Sequence, residues 1–210
     1  IKKTLKYLKG KPLTIRTLDV GNDKKVPSIE KYLTKSPNPA LGLRAIRLTL
    51  AFPKIFKKQI SAILKASIYG DVRIMLPMVS NVSELIETKK IIKEVKNQIV
   101  TKNKILKIKM PKIGVLIETP AAALISQALA KNCDFFAIGT NDLTMYTLAI
   151  DRGDEEVAKI YDPGHLSVLK LIQMSTKAAK NNNIPISICG EMAGDTLFTS
   201  ILIGMGIRTL

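Results

Sequence analysis

The sequence has no tryptophan, a single histidine, two cysteines, and only five tyrosines and five phenylalanines among 210 residues. So few rings, not interleaved with the basic residues, argue against a single-stranded nucleic-acid surface, on which successive bases stack on aromatic side chains. Cys133 and Cys189 make no disulfide framework, which fits a reducing compartment. No apolar run approaches the roughly 18–20 residues that a membrane-spanning helix needs, and the longest, such as Ile113–Ile117, are strand-sized. The opening Ile1–Gly10 is basic but has no apolar signal region, which argues against secretion. Because the chain opens on Ile rather than Met, the expectation is a piece of a longer cytoplasmic protein without membrane insertion.

Arginine is scarce as well. Of 33 basic residues only six are arginine: Arg16, Arg44, Arg47, Arg73, Arg152 and Arg208. The net charge of +16 is therefore mostly lysine spread along the whole chain, with its densest run, Lys89 to Lys109, on a solvated helix face and the loop after it. That pattern predicts no nucleic-acid partner. Where lysine is the default cation, an arginine marks a place where its planar, bidentate fork matters.

What is present is a core. With 46% hydrophobic residues, a chain of this length is expected to form one domain over residues 1–210. Short apolar runs alternate with helical patterns. The expected strands are Leu13–Leu18, Val72–Pro77, Ile113–Ile117, Phe135–Ile138, Pro185–Ile188 and Gly206–Leu210. Val82, Leu85, Ile86, Ile92, Val95 and Ile99 recur at helical spacing, with Asn81 and Glu84 as a capping box. Phe52, Ile55, Phe56, Ile60, Ile63 and Leu64 mark a second helix, and Leu166–Ala179 a third. Apolar strands separated by helices indicate an α/β fold with a parallel sheet. Arg16, Glu118, Asp142 and Cys189 each lie at or just past the C-terminal end of an expected strand. Chemistry at one end of four strands is the signature of a (β/α) barrel, whereas an open sheet concentrates its site at one switch point.

The polar residues allow two readings. Glu118, in Ile117–Pro120, and Asp142, in Gly139–Asp142, sit at the ends of successive strands and can converge on one hard cation such as Mg2+. They can equally be helix N-terminal caps, since Pro120 and Leu143 look like helix starts. Arg16, Arg44 and Arg152 fit a receptor for an anionic, phosphate-bearing substrate, but each can also be a surface ion pair, the role expected of Arg47 and Arg73. Cys189 follows a strand and precedes Gly190, which lets backbone lie close to a ligand. Cys133 precedes its strand and should be inert packing. His165, after Pro163 and Gly164, should be a surface residue near a helix start.

The runs RTLDVGNDK, NPALGLRAIR, RIMLPMVS, GVLIETPAAA, DFFAIGTNDLTMYTLAIDRG and CGEMAGD resemble successive signatures of the enzyme I family of the bacterial sugar phosphotransferase system. They span nearly the whole chain in the family's order. Pyruvate-phosphate dikinases and phosphoenolpyruvate synthases share several of these residues. The Tyr146–Ala149 continuation and the spacing from Asp142 to Arg152 look more like enzyme I. The resemblance implies the phosphoenolpyruvate-binding (β/α)8 barrel, here with its first strand absent and its eighth truncated. It implies that Arg16, Arg44 and Arg152 hold the phosphoryl group or carboxylate of phosphoenolpyruvate, with Lys24 a further phosphate contact. Glu118 and Asp142 would ligate Mg2+, and Asn141 would hydrogen-bond the substrate phosphate. Cys189 would protonate the enolate carbon to give pyruvate.

The implied partners are an N-terminal histidine domain of the same protein, through it the histidine-containing phosphocarrier protein, and a second copy of the chain in a homodimer. His165 lies in no acceptor motif, so this piece alone should not complete a turnover. A dikinase or synthase barrel, a Mg2+-dependent lyase of the citrate-lyase type, and a non-catalytic phosphoenolpyruvate-binding or dimerisation module are the competing readings.

Overall fold

A computed structural model describes residues 1–21, 26, 32, 36–103, 108–151 and 153–210. Its described residues divide into two compact units, Ile1–Met78 with Ser83–Ile113, and Val79–Val82 with Gly114–Leu210.

The first unit opens on helix α1 (Lys2–Tyr7) and strand β1 (Leu13–Arg16), followed by α2 (Ala45–Ala51), α3 (Pro53–Ala66), β2 (Val72–Leu76) and most of α4 (Val82–Asn103). β1 and β2 pair in parallel, Leu13 opposite Val72 through Arg16 opposite Met75. Helix α3 starts with Pro53 at its first position, where the missing N–H is not needed. Its buried side chains Phe56, Ile60, Ile63 and Leu64 follow the i, i+4, i+7, i+8 stripe of an amphipathic helix. In α4 the buried stripe is Leu85, Thr88, Ile92, Val95 and Ile99. Ile86, counted with that stripe from the sequence, is 42% exposed instead. Ile86, about 100° around the helix from Leu85, falls on the solvent side of that stripe.

The second unit holds β3 (Lys112–Ile117, from Gly114 onward), α5 (Pro120–Leu124), α6 (Ser126–Ala130), β4 (Phe135–Gly139), α7 (Thr140–Leu148) and α8 (Glu155–Ala158). It continues with α9 (Leu166–Asn181), β5 (Ile186–Cys189), α10 (Glu191–Gly194) and α11 (Thr196–Gly204). β3, β4 and β5 pair in parallel. β4 is buried at every position, as expected of a parallel strand covered on both faces. α9 packs on α5, α6, α7 and β4 through a face that includes Val168, Ile172, Ser175 and Ala179.

The expected strand Gly206–Leu210 is irregular chain. Ile188 N–H donates to Thr209 C=O at 3.0 Å, but no ladder develops. Gly206 sits at φ +96°, outside the extended region that a strand requires, so the segment turns where a strand would start. No helix among the described residues is long and apolar enough to cross a membrane.

Candidate active site

In the first unit β1 ends at Arg16, and the chain after it is held down, with Leu18 N–H donating to Gln59 Oε1 at 3.0 Å. Asp19 is thereby buried, and it is the group that organises the arginines. Its Oδ1 accepts from Arg44 Nη2 at 2.9 Å and from Arg44 Nε at 3.2 Å. Its Oδ2 faces Arg16 Nη1 at 3.0 Å. One carboxylate thus joins two of the arginines expected to bind substrate. Their settings differ: the Arg44 side chain is 7% exposed and that of Arg16 is 44% exposed. Arg44 is extended, and Ala45 after it is left-handed at φ +51°. For a residue with a Cβ that conformation costs about 1–2 kcal/mol, and such strain persists where tertiary contacts impose it. Asp19 escapes a reading of the sequence because a lone aspartate after a strand reads as an ordinary turn residue.

Of the two arginines expected to form surface ion pairs, Arg73 pairs with an acid, although its Nε is buried without a hydrogen-bond partner among the described residues, and Arg47 bonds to backbone instead. Arg47 donates to Leu41 C=O at 3.0 Å, and Arg73 lies 3.7 Å from Asp71, itself half exposed. Lys24 and Arg152 lie outside the described residues.

In the second unit the register aligns the strand ends: Ile117 lies opposite Ile138, and Gly139 opposite Cys189. Glu118, the Thr140–Asp142 turn and Cys189 therefore emerge at one edge of the three strands. Glu118 is 2% exposed. It does not cap α5; Thr119 does, accepting from Ala122 N–H at 3.1 Å while its own hydroxyl donates to Val79 C=O at 2.9 Å. The cap reading of Glu118 is corrected by this geometry. Its side chain lies instead over Gly139, where an added Cβ would meet Glu118 Cβ and Oε2 at 3.1 Å. Asp142 is the third residue of α7, whose N-cap is Gly139. It keeps the favourable position of an acid in a first helical turn without being the cap.

Cys189 closes β5, and its thiol donates to Ile138 C=O at 3.2 Å. The residue is exposed, whereas Cys133 is buried before β4 with Sγ 3.5 Å from Phe135 C=O. The two thiols thus belong to opposite ends of parallel strands, as expected from the sequence. Gly190 has φ +99°, and a Cβ there would collide with Thr140 Oγ1 and lie 2.9 Å from Asn141 Oδ1. The close approach that this glycine permits is to the protein's own β4–α7 turn. Thr140 Oγ1 donates to Cys189 C=O at 3.0 Å, and Glu191 N–H donates to Asn141 Oδ1 at 2.9 Å. Asn141 Nδ2 donates to Glu191 Oε1 at 3.3 Å, and Tyr161 OH donates to Asn141 C=O at 3.2 Å. Thr140, Tyr161 and Glu191 were not singled out by sequence, since hydroxyls and an exposed glutamate carry no local signal. His165 is the exposed N-cap of α9, its Nδ1 accepting from Ser167 N–H at 3.2 Å.

Among the described residues no three His, Cys, Asp or Glu side chains gather into a metal cage. Mg2+ needs none, being held typically by one or two carboxylates with water and substrate oxygens. A buried Glu118 carboxylate, with Asp142 after the neighbouring strand, is an oxygen donor set that fits this cation.

The comparisons with known proteins follow the same lines. The family model described as PEP-utilising enzyme, PEP-binding domain, matches residues 1–210. The phosphoenolpyruvate-protein phosphotransferase of Cupriavidus necator is 44% identical over 199 residues, covering 95% of this chain and 34% of its own length. That of Bacillus subtilis is 42% identical over 206 residues, covering 98% of this chain and 36% of its own length. The chain thus spans about a third of the length of the curated relatives it matches. Among solved structures, an HpcH/HpaI aldolase/citrate lyase family protein from Burkholderia cenocepacia aligns with TM-score 0.56 and 12% identity, covering 100% of this chain and 82% of that one. At that identity the likeness speaks for the fold alone. By the full-length family match and by relatives above 40% identity, this chain belongs to the PEP-utilising enzymes, of which it is the PEP-binding domain.

Proposed function

We propose that this chain binds phosphoenolpyruvate with Mg2+ and transfers its phosphoryl group to a histidine on an N-terminal domain of the same cytoplasmic protein, releasing pyruvate. In this reading residues 1–210 are most of one (β/α)8 barrel domain, and the whole protein acts as a homodimer. The phosphoryl group passes on to the histidine-containing phosphocarrier protein, the first step of sugar uptake. The observation that carries the reading is the buried Glu118 carboxylate, which is not the N-cap of α5 and shares its strand edge with Asn141, Asp142 and Cys189. The name carried by relatives matched over 95% or more of the chain supports the same chemistry.

Each residue then has a task. Arg16 and Arg44, with Arg152 and Lys24, hold the phosphoryl or carboxylate oxygens of the substrate through charge-assisted hydrogen bonds. Glu118 and Asp142 hold Mg2+, which when bound supplies positive charge to the phosphate and to the enolate oxygen. Asn141 donates to the phosphate through the Nδ2 hydrogen that does not face Glu191. After the P–O bond of phosphoenolpyruvate breaks, the enolate of pyruvate is left, and the Cys189 thiol protonates its C3. The S–H bond breaks, a C–H bond forms, and a thiolate and pyruvate remain. An ordinary thiol, with a pKa of about 8.5, still carries its proton at neutral pH and can serve as that acid.

Lysine substitutions separate geometry from charge. In the full-length protein Arg16→Lys keeps the net charge but loses the planar fork, and is expected to weaken phosphoenolpyruvate binding by about tenfold or more. Arg47→Lys and Arg73→Lys are expected to change it by less than about twofold, since neither belongs to the proposed site. Isothermal titration with Mg2+ present reads all three. Equal, small effects would mean that the arginines supply only a diffuse positive field.

A further inference from the structure

The hydrogen bonds around Asn141 and Glu191 have no counterpart in the reading above, which gives Glu191 no task. Yet they tie the residues after Cys189 to the turn that carries Asn141 and Asp142. Asn141 meets Glu191 twice, accepting its backbone N–H through Oδ1 at 2.9 Å and donating from Nδ2 to its Oε1 at 3.3 Å. Cys189 C=O is held by Thr140 Oγ1 at 3.0 Å, and Asn141 C=O by Tyr161 OH at 3.2 Å. Gly190, at φ +99°, leaves no room for a side chain between Cys189 and this turn. The thiol belongs to the last residue of β5, with only Gly190 between it and α10, so its direction depends on how this short connection is fastened.

We propose that Glu191 is a positioning residue: its carboxylate, clasping the Asn141 amide, holds the Cys189 thiol where it can deliver a proton to carbon. This rests on the assignment of Cys189 as the acid. The proton moves as already described, from sulfur to C3, and Glu191 neither gains nor loses one. A side-chain amide satisfies the same clasp, because Gln retains an Oε1 that accepts from Asn141 Nδ2.

The test uses the full-length protein and two measurements. One is the rate at which iodoacetamide alkylates Cys189, read by peptide mass mapping, with Cys133 as an internal report on general loosening. The other is exchange of deuterium from solvent into the methyl group of pyruvate by the phosphorylated protein with Mg2+, which requires the Cys189 thiolate to remove a proton from carbon. For Glu191→Ala the expectation is Cys189 alkylation faster by about fivefold and exchange slower by about fivefold, the scale of one lost hydrogen bond, with Cys133 still slow. Glu191→Gln should restore both rates. Gly190→Ala, which forces the connection away from Thr140 and Asn141, should have the larger effect on both. Alkylation or exchange unchanged in Glu191→Ala, while Cys189→Ala loses exchange, would overturn the positioning role and leave the acid in place. Exchange retained in Cys189→Ala would overturn the acid assignment, and the positioning role with it. If Cys133 reacts as fast as Cys189 in Glu191→Ala, the residue supports the fold in general and the proposal fails.

Discussion

Glu118→Ala and Asp142→Ala, each introduced into the full-length protein, are expected to abolish Mg2+-dependent binding of phosphoenolpyruvate while the protein stays folded. Two carboxylates make up most of the protein's share of a Mg2+ coordination shell, the remainder coming from water and substrate. Losing either removes a charged oxygen ligand and should lower substrate affinity by about a hundredfold or more, since a charge-assisted contact is among the strongest single interactions a site makes. Glu118 is the more sensitive of the two, being buried at 2% exposure, where its position is set by packing over Gly139. Asp142 also favours the first turn of α7, so its loss costs that helix up to about 1 kcal/mol. Calorimetric titration of phosphoenolpyruvate with and without Mg2+, accompanied by circular dichroism, measures both consequences. Unchanged Mg2+-dependent affinity in both mutants would remove the metal assignment.

The largest effect on stability should come from Asp19→Ala. The Asp19 and Arg44 side chains are 3% and 7% exposed, and their contact includes bonds at 2.9 and 3.2 Å. Breaking a buried pair by removing one partner costs about 3–5 kcal/mol, because the remaining charge loses its compensation in a poorly solvating interior. The Arg16 contact adds little, with nearly half of that side chain in water. Asp71→Ala is the comparison, removing the partner of Arg73 at 3.7 Å from a half-exposed site, and should cost less than about 1 kcal/mol. Denaturant midpoints of the two variants in the full-length protein should therefore be well separated. Similar midpoints would mean that the Arg44–Asp19 contact contributes no more than a surface pair. Asp19→Ala should also weaken phosphoenolpyruvate binding, because it releases two guanidinium groups from one carboxylate.

Local pattern made much of the fold legible. The β3 and β4 segments read correctly because parallel strands covered on both faces are apolar throughout. Helices α3, α4 and α9 read correctly from their periodicity, with Ile86 misassigned because neighbouring apolar residues on a helix look alike until one of them is buried. The last expected strand failed for a local reason, the turn at Gly206 (φ +96°), and for a non-local one. Gly206–Leu210 has an apolar character, but a strand exists only where a partner ladder forms, and here one bond from Ile188 reaches Thr209.

The site divides in the same way. By itself the sequence determined the residue types, their family and their places at strand ends: Arg16, Glu118, Asp142 and Cys189 stand where regular strands stop, and strand ends follow from local patterns. Only the tertiary structure decided how these side chains are used. That Asp19 is buried between Arg16 and Arg44, that Thr119 rather than Glu118 caps α5, and that Asn141 clasps Glu191 are facts about partners 3, 25 and 50 residues apart. Hydrogen bonds and ion pairs act over about 3 Å of space whatever the separation in sequence. Which carboxylate meets which guanidinium, and which glycine leaves room for which turn, is therefore settled when strands come into register and helices pack.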